Sequence, residues 1–178
     1  MQKEISTDEI IEALGTIISG EDSKAAKEIL KGLKKSHSEI IQDMLELMTQ
    51  KALKAGIFFH PDSKVTVLDP AHNPNYSILM CPVLSDYHPG VMFRWAFTEV
   101  ENGKHYLPDD TLVSYGYSDY IILLIDVAAE CDSHVVRRIT EMARQISPKT
   151  VVIVMAVISR GFTAESLGVD EFYPLLEL

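Results

Sequence analysis

The sequence predicts an α/β protein, a helical N-terminal part followed by a doubly wound parallel sheet. Three observations carry this reading. Tyr120-Ile-Ile-Leu-Leu-Ile-Asp126 is an unbroken apolar run that ends in an acid. It is too short to cross a membrane and too apolar for a half-exposed strand, the pattern of a strand buried on both faces. A second run of the same kind, Thr150-Val-Val-Ile-Val-Met-Ala-Val-Ile-Ser159, follows Pro148. Between them Val135, Val136, Ile139, Met142, Ala143 and Ile146 recur at helical spacing from about Ser133 onward. Strand, helix and strand within about forty residues form a right-handed βαβ crossover.

Composition bounds the function. With 178 residues, 47% hydrophobic and 24% charged, the chain can bury the core of one domain with an appendage, or of two small domains. A formal net charge of −10 argues against nucleic acid or an anionic membrane as partner. Lys31, Lys34 and Lys35 read as the solvated face of a helix. Cys81 and Cys131 stand far apart in a sequence without a signal-peptide pattern, as expected of free thiols in a reducing compartment. No apolar run approaches the roughly 20 residues that a bilayer demands. The expectation is a soluble, cytoplasmic protein.

In chain order, residues 1–56 carry helix signals and no strand signal, and are predicted to form a helical bundle or cap. The first helix opens on the capping box Ser6-Thr-Asp-Glu9 and ends at Gly20. The second opens near Asp22 or Ser23 and carries Ala25, Ala26, Ile29, Leu30 and Leu33. The third opens near Ser36 or Ser38, carries Ile40, Ile41, Met44, Leu45 and Met48, and stops at Gly56. Residues 57–178 are predicted to form the sheet domain. Lys64 to Leu68 alternates as a short strand, and Asp69-Pro-Ala-His-Asn-Pro-Asn75 is dense in turn formers. Tyr76 to Leu84 reads as a second strand with Pro82 near its end, and Val91 to Phe97 as the start of a helix. Phe162 to Gly168 reads as a short helix, followed by a last strand.

Of the histidines, His60, His72, His88 and His105 fall in turn-rich stretches, none at helical metal-ligand spacing. His88 differs from the rest, because Asp86 precedes it by two residues directly after a predicted strand. A carboxylate there can fix a histidine's tautomer and raise its basicity as a metal ligand; alternatively Asp86 and Gly90 merely shape a turn. Asp126 falls at the carboxyl end of its strand, where open α/β sheets place their ligands.

Asp86-Tyr-His88-Pro-Gly90 resembles the Asp-x-His-x-x-Gly loop of corrinoid-binding proteins, with one residue missing before the glycine. The N-terminal helices resemble that family's cap. Thr150 to Ser159 and Phe162-Thr-Ala-Glu-Ser-Leu-Gly-Val-Asp-Glu-Phe172 resemble its penultimate strand and closing helix and strand. The resemblance implies a flavodoxin-like (Rossmann-like) domain that binds cobalamin, or another tetrapyrrole such as haem, as a methyl carrier or sensor. His88 would be the lower axial ligand to the metal, and Asp86 its support beside Gly90. Asp126 and Ala156 would border the pocket of the nucleotide tail. The partner would be a methyltransferase or a regulator, with a homo-oligomer left open. Asp126-Val-Ala128 stands where the family has a hydroxyl pair, and Met155-Ala-Val157 where it has Gly-Gly. Both would crowd the tail.

Two alternatives follow. One is a regulatory or interaction protein that keeps the fold without cofactor. The other is a degenerate relative of type I phosphoribosyltransferases, whose phosphate loop reads two acids, small residues, then threonine-glycine. Leu124-Ile-Asp-Val-Ala-Ala-Glu-Cys-Asp-Ser133 can be laid on that loop, but only Asp126 matches an acid, and Glu130 and Cys131 replace threonine and glycine. Acids at a helix start suit the helix dipole and repel a phosphate. A receiver-like domain with Asp126 as phosphoacceptor ranks below both, lacking the paired acids that would hold Mg²⁺.

Overall fold

The computed structural model describes residues 38–70, 76–102, 104–106, 118–128 and 130–177. In chain order these form α1 (Ser38–Lys54), β1 (Lys64–Asp69), α2 (Tyr76–Tyr87), β2 (Met92–Phe97), β3 (Glu99–Glu101), β4 (Lys104–Tyr106), β5 (Tyr120–Ala128), α3 (Glu130–Ile146), β6 (Val151–Ser159), α4 (Ala164–Leu167) and β7 (Glu171–Glu177). The helices predicted over residues 6–20 and 22–33 lie outside the described residues, as do residues 71–75 of the turn-rich stretch.

Among the described residues, five strands form one parallel sheet in the order β2-β1-β5-β6-β7, and β3 pairs with β4 in a separate antiparallel ribbon. The order reverses direction between β1 and β5. From β1 the chain crosses to one side through α2, and from β5 to the other through α3. This is the doubly wound α/β architecture that the apolar runs predict.

The period-two alternation of the strands feeds two cores. On one face Met44, Leu45 and Met48 of α1 and Met80 and Leu84 of α2 pack on Val65, Val67, Ile122, Leu124, Ile153 and Met155. On the other, Val136, Ile139 and Ala143 of α3 pack on Leu68, Ile121, Leu123, Val152, Val154 and Ala156. Each fully buried aliphatic side chain contributes about 1.5–3 kcal/mol of apolar burial, so β5 and β6, buried on both sides, anchor the domain. α1, predicted as part of a cap, packs directly on the sheet.

Two elements are exchanged relative to the sequence reading. Residues 76–84, predicted as a strand, belong to helix α2, and residues 91–97, predicted to begin a helix, form strand β2. The buried positions of α2 are Tyr76, Ser77, Met80, Cys81, Val83 and Leu84, a helical stripe. Ile78 is exposed, as is Pro82, so apolar residues on the outer side hide the period. α3 opens at Glu130, three residues before the predicted Ser133. The short helix α4 is as predicted, with Thr163 as N-cap and Gly168 in the left-handed region at φ 72° closing it.

The candidate crevice at the carboxyl ends of β1 and β5

The point where the strand order reverses is where sheets of this architecture bind ligands, because the two helices diverge there and leave a crevice. Two acids reach it. Asp69 ends β1 and is fully buried, and Asp126, near the end of β5, is 6% exposed. Tyr76 opens α2 and is 2% exposed. Burial pushes its phenol far above the ordinary range. The neighbouring Asp126 carboxylate pushes it further, and Asp69 adds a smaller push. The phenol therefore stays neutral beside the Asp126 carboxylate.

Asp69 is committed to the fold. Its Oδ2 accepts a 2.6 Å hydrogen bond from the backbone N–H of Ser77, in the first turn of α2. The carboxylate thus occupies the positive end of that helix, where a ligand anion would otherwise bind. Ser77 Oγ donates in turn to the Ala96 carbonyl of β2 at 3.4 Å, and Thr98 N–H donates to the Asp69 carbonyl at 3.0 Å. Cys81, one turn along α2, is a buried free thiol. Burial, and then the charge of Asp69, push its pKa up to about 12, so it stays a neutral core group.

On the other side of the crevice a single residue, Ala129, separates the end of β5 from the start of α3. The first three residues of that helix are Glu130, Cys131 and Asp132.

The residues singled out from sequence do not converge. His88 follows α2, and its backbone N–H closes that helix on the Leu84 carbonyl at 2.9 Å. α2 runs back along the sheet, so His88 lies at the amino end of the strands. Its ring packs edge-on against Phe59 at 4.9 Å, and Phe59 packs edge-on against Tyr120, the first residue of β5, at 5.1 Å. Asp126 lies six residues further along β5, about 20 Å at the rise of a strand. Asp86 is exposed on α2 and makes no hydrogen bond to His88 among the described residues. His88 Nε2 is buried without a hydrogen-bond partner, and burial lowers the pKa of the ring. Gly90 has φ 89° and turns the chain into β2, its carbonyl accepting from Asp62 N–H at 3.0 Å. Ala156 is fully buried between Ile125 and Pro174, within the core under α3, whereas Asp126 faces Tyr76 under α2. No group of three or more His, Cys, Asp or Glu among the described residues is arranged to hold a metal.

Asp69 and Tyr76 were not singled out from sequence. The available signal was an acid closing an alternating strand, the same position that drew attention to Asp126.

No protein-family model and no curated protein matches the chain. Solved structures do. A lysine-to-arginine variant of hypoxanthine phosphoribosyltransferase from Trypanosoma cruzi, complexed with the product IMP, superposes with a TM-score of 0.51 at 14% identity, over 79% of this chain and 74% of that one. A further structure of the hypoxanthine phosphoribosyltransferase of Trypanosoma cruzi gives a TM-score of 0.50 at 13% identity, over 78% of this chain and 77% of that one. These matches overturn the resemblance to corrinoid-binding proteins, and with it the expectation of a cobalamin-dependent methyl carrier or sensor. That resemblance required Asp86 and His88 to follow a strand; instead Asp86 lies in the last turn of a helix and His88 follows it. At such low identity the likeness is one of fold: the chain has an α/β fold similar to that of the phosphoribosyltransferases.

Proposed function

We propose that this chain is a degenerate phosphoribosyltransferase-like protein, which keeps the fold without transferring phosphoribosyl groups and serves as a regulatory or interaction protein. The observation that supports this most is the bond from Ser77 N–H to Asp69 Oδ2. A transferase of this kind must hold the phosphate and diphosphate groups of its donor at the carboxyl edge of the sheet. Backbone N–H groups at helix starts are the natural device for that. Here a carboxylate of the chain itself occupies the start of α2. A phosphate approaching this edge of the sheet is opposed by the buried charges of Asp69 and Asp126. At separations near 4 Å, each like-charge contact opposes binding by about 1–4 kcal/mol, depending on how much water remains.

The test is calorimetric titration with phosphoribosyl diphosphate and Mg²⁺, paired with an assay for diphosphate release in the presence of hypoxanthine. The expected result is neither saturable heat nor diphosphate. Saturable binding that Asp126→Asn alters, or the appearance of IMP, would sink the reading.

A further inference from the structure

The two edges of the sheet are built differently. At the β7 edge, Pro174 sits mid-strand without an N–H to offer, and Glu171 and Glu177 stand at the ends. One β7 carbonyl, that of Leu175, is already taken by Lys51 Nζ at 2.5 Å. These are the usual devices that keep an edge from pairing. The β2 edge has none of them. Met92-Phe-Arg-Trp-Ala-Phe97 is six residues without proline or glycine, and its single charge, Arg94, turns inward to Ser118 Oγ at 3.4 Å. Among the described residues no strand pairs with the outer side of β2.

Two apolar side chains of this edge are exposed. Trp95 is 50% and Met92 55% exposed, and Trp95 stacks on Phe97 with ring centres 6.0 Å apart and planes within 13°. A six-residue edge of high strand propensity without a guarding charge is a template for another strand.

We propose that β2 pairs antiparallel with β2 of a second copy of this chain, about a two-fold axis at Trp95, giving a continuous ten-stranded sheet across the dimer. The pattern of the strand selects that occupant and that register. In an antiparallel ladder, directly opposed residues share a face, so a two-fold perpendicular to the sheet must pass through a residue position. Centring on Arg94 sets two like charges opposite each other. Centring on Ala96 leaves three residues of each strand overlapping and opposes Phe93 to Glu99. Centring on Trp95 overlaps residues 93–97, opposes Arg94 to Ala96, and lines one face with Phe93 against Phe97, Trp95 against Trp95, and Phe97 against Phe93. Cross-strand aromatic pairs of this kind are among the more stabilising in sheets. The proposal is independent of the reading of the crevice.

Sedimentation velocity of the full chain over the micromolar range tests it, together with the fluorescence of Trp95, the only tryptophan in the sequence. The expected result is a species of twice the chain mass, with emission shifting to the blue as the dimer fills. Trp95→Lys, which opposes two ammonium groups on the axis, should return the mass to that of one chain with an unchanged circular dichroism spectrum. Trp95→Cys should cross-link to itself under oxidised glutathione, and this second variant decides the matter if the lysine variant does not fold. A monomer at all concentrations overturns the proposal. So does a dimer that folded Trp95→Lys leaves intact and Trp95→Cys does not cross-link.

Discussion

The two ends of the central strands carry opposite chemistry. At the carboxyl end, Asp69, Tyr76 and Asp126 are buried and polar, and their geometry depends on a helix start. At the amino end, Phe59 is the hub of an aromatic cluster, edge-on to His88, Phe93 and Tyr120 with ring centres 4.9–5.7 Å apart. Directed hydrogen bonds act at both ends, as from Lys64 N–H to Asp119 Oδ2 at 2.8 Å, but only the amino end adds a cluster of packed rings. The carboxyl end is where an open α/β sheet keeps its ligands, yet Asp69 there serves the scaffold. The end without a customary ligand site holds the histidine that the sequence had marked.

Substitutions on each side should separate these modes. The largest effect is expected from Phe59→Ala, which removes a ring that is only 4% exposed and touches three other rings. Loss of transfer energy plus an unfilled cavity should lower stability by about 3–5 kcal/mol in urea denaturation. A loss under about 1 kcal/mol would mean that the cluster closes over the gap and is not a packing centre. Asp69→Ala comes next. It strips α2 of the acceptor for Ser77 N–H and leaves that donor buried, an expected loss of about 2–3 kcal/mol. Asp69→Asn, which keeps an acceptor oxygen, should recover part of it. If Asn and Ala lose equally, charge rather than the hydrogen bond holds the helix start.

Legibility in the sequence followed the same division. β5, β6 and the crossover through α3 were readable because a strand buried on both faces must be apolar at every position, as Ile121 to Ile125 and Val152 to Ile158 are, and β1 was readable from the alternation of Lys64 to Leu68. α2 and β2 were misread because each breaks the pattern of its kind. α2 carries Ile78 and Pro82 on its outer side, which fills in the helical period, and its Pro82 resembles a strand end. β2 follows Pro89-Gly90, a customary helix-start context, and its period is blurred because Met92 and Trp95 are both exposed. That single exchange moved His88 from the carboxyl end to the amino end, and the corrinoid reading rested on it. Asp126 was found because it ends an obvious run. Asp69 was passed over because Pro70 and the turn formers after it made the whole stretch read as loop.

Tyr76→Phe probes the carboxyl end more gently. The ring stays in the core, and only the hydroxyl beside Asp126 is lost, an expected destabilisation of about 1 kcal/mol. The pH dependence is the sharper readout. The folded-state pKa of Tyr76 is raised well above its unfolded value of 10.0, so its contribution is complete below that value and is lost as pH rises through it toward the folded one. The wild-type chain should therefore lose stability in alkali more steeply than the variant does. Parallel profiles would place the hydroxyl in contact with water instead of buried beside Asp126.

The smallest expected effect lies at the amino end. Burial lowers the folded-state pKa of His88 below its ordinary 6.5, so the unfolded chain binds its proton first as pH falls. Stability is then complete above about pH 6.5 and declines as pH drops from there toward the lowered value. The rings of Phe59, edge-on, and Phe93, tilted, offer no carboxylate to retain the proton, and Nε2 has no hydrogen-bond partner to stabilise the cation. In His88→Gln this part of the acid dependence should vanish while stability at neutral pH changes little. Urea midpoints of both proteins, measured in steps between about pH 5 and 7, read the difference directly. Should the two curves fall together, the acid dependence belongs to groups at the other end of the strands, and His88 meets water in the folded chain.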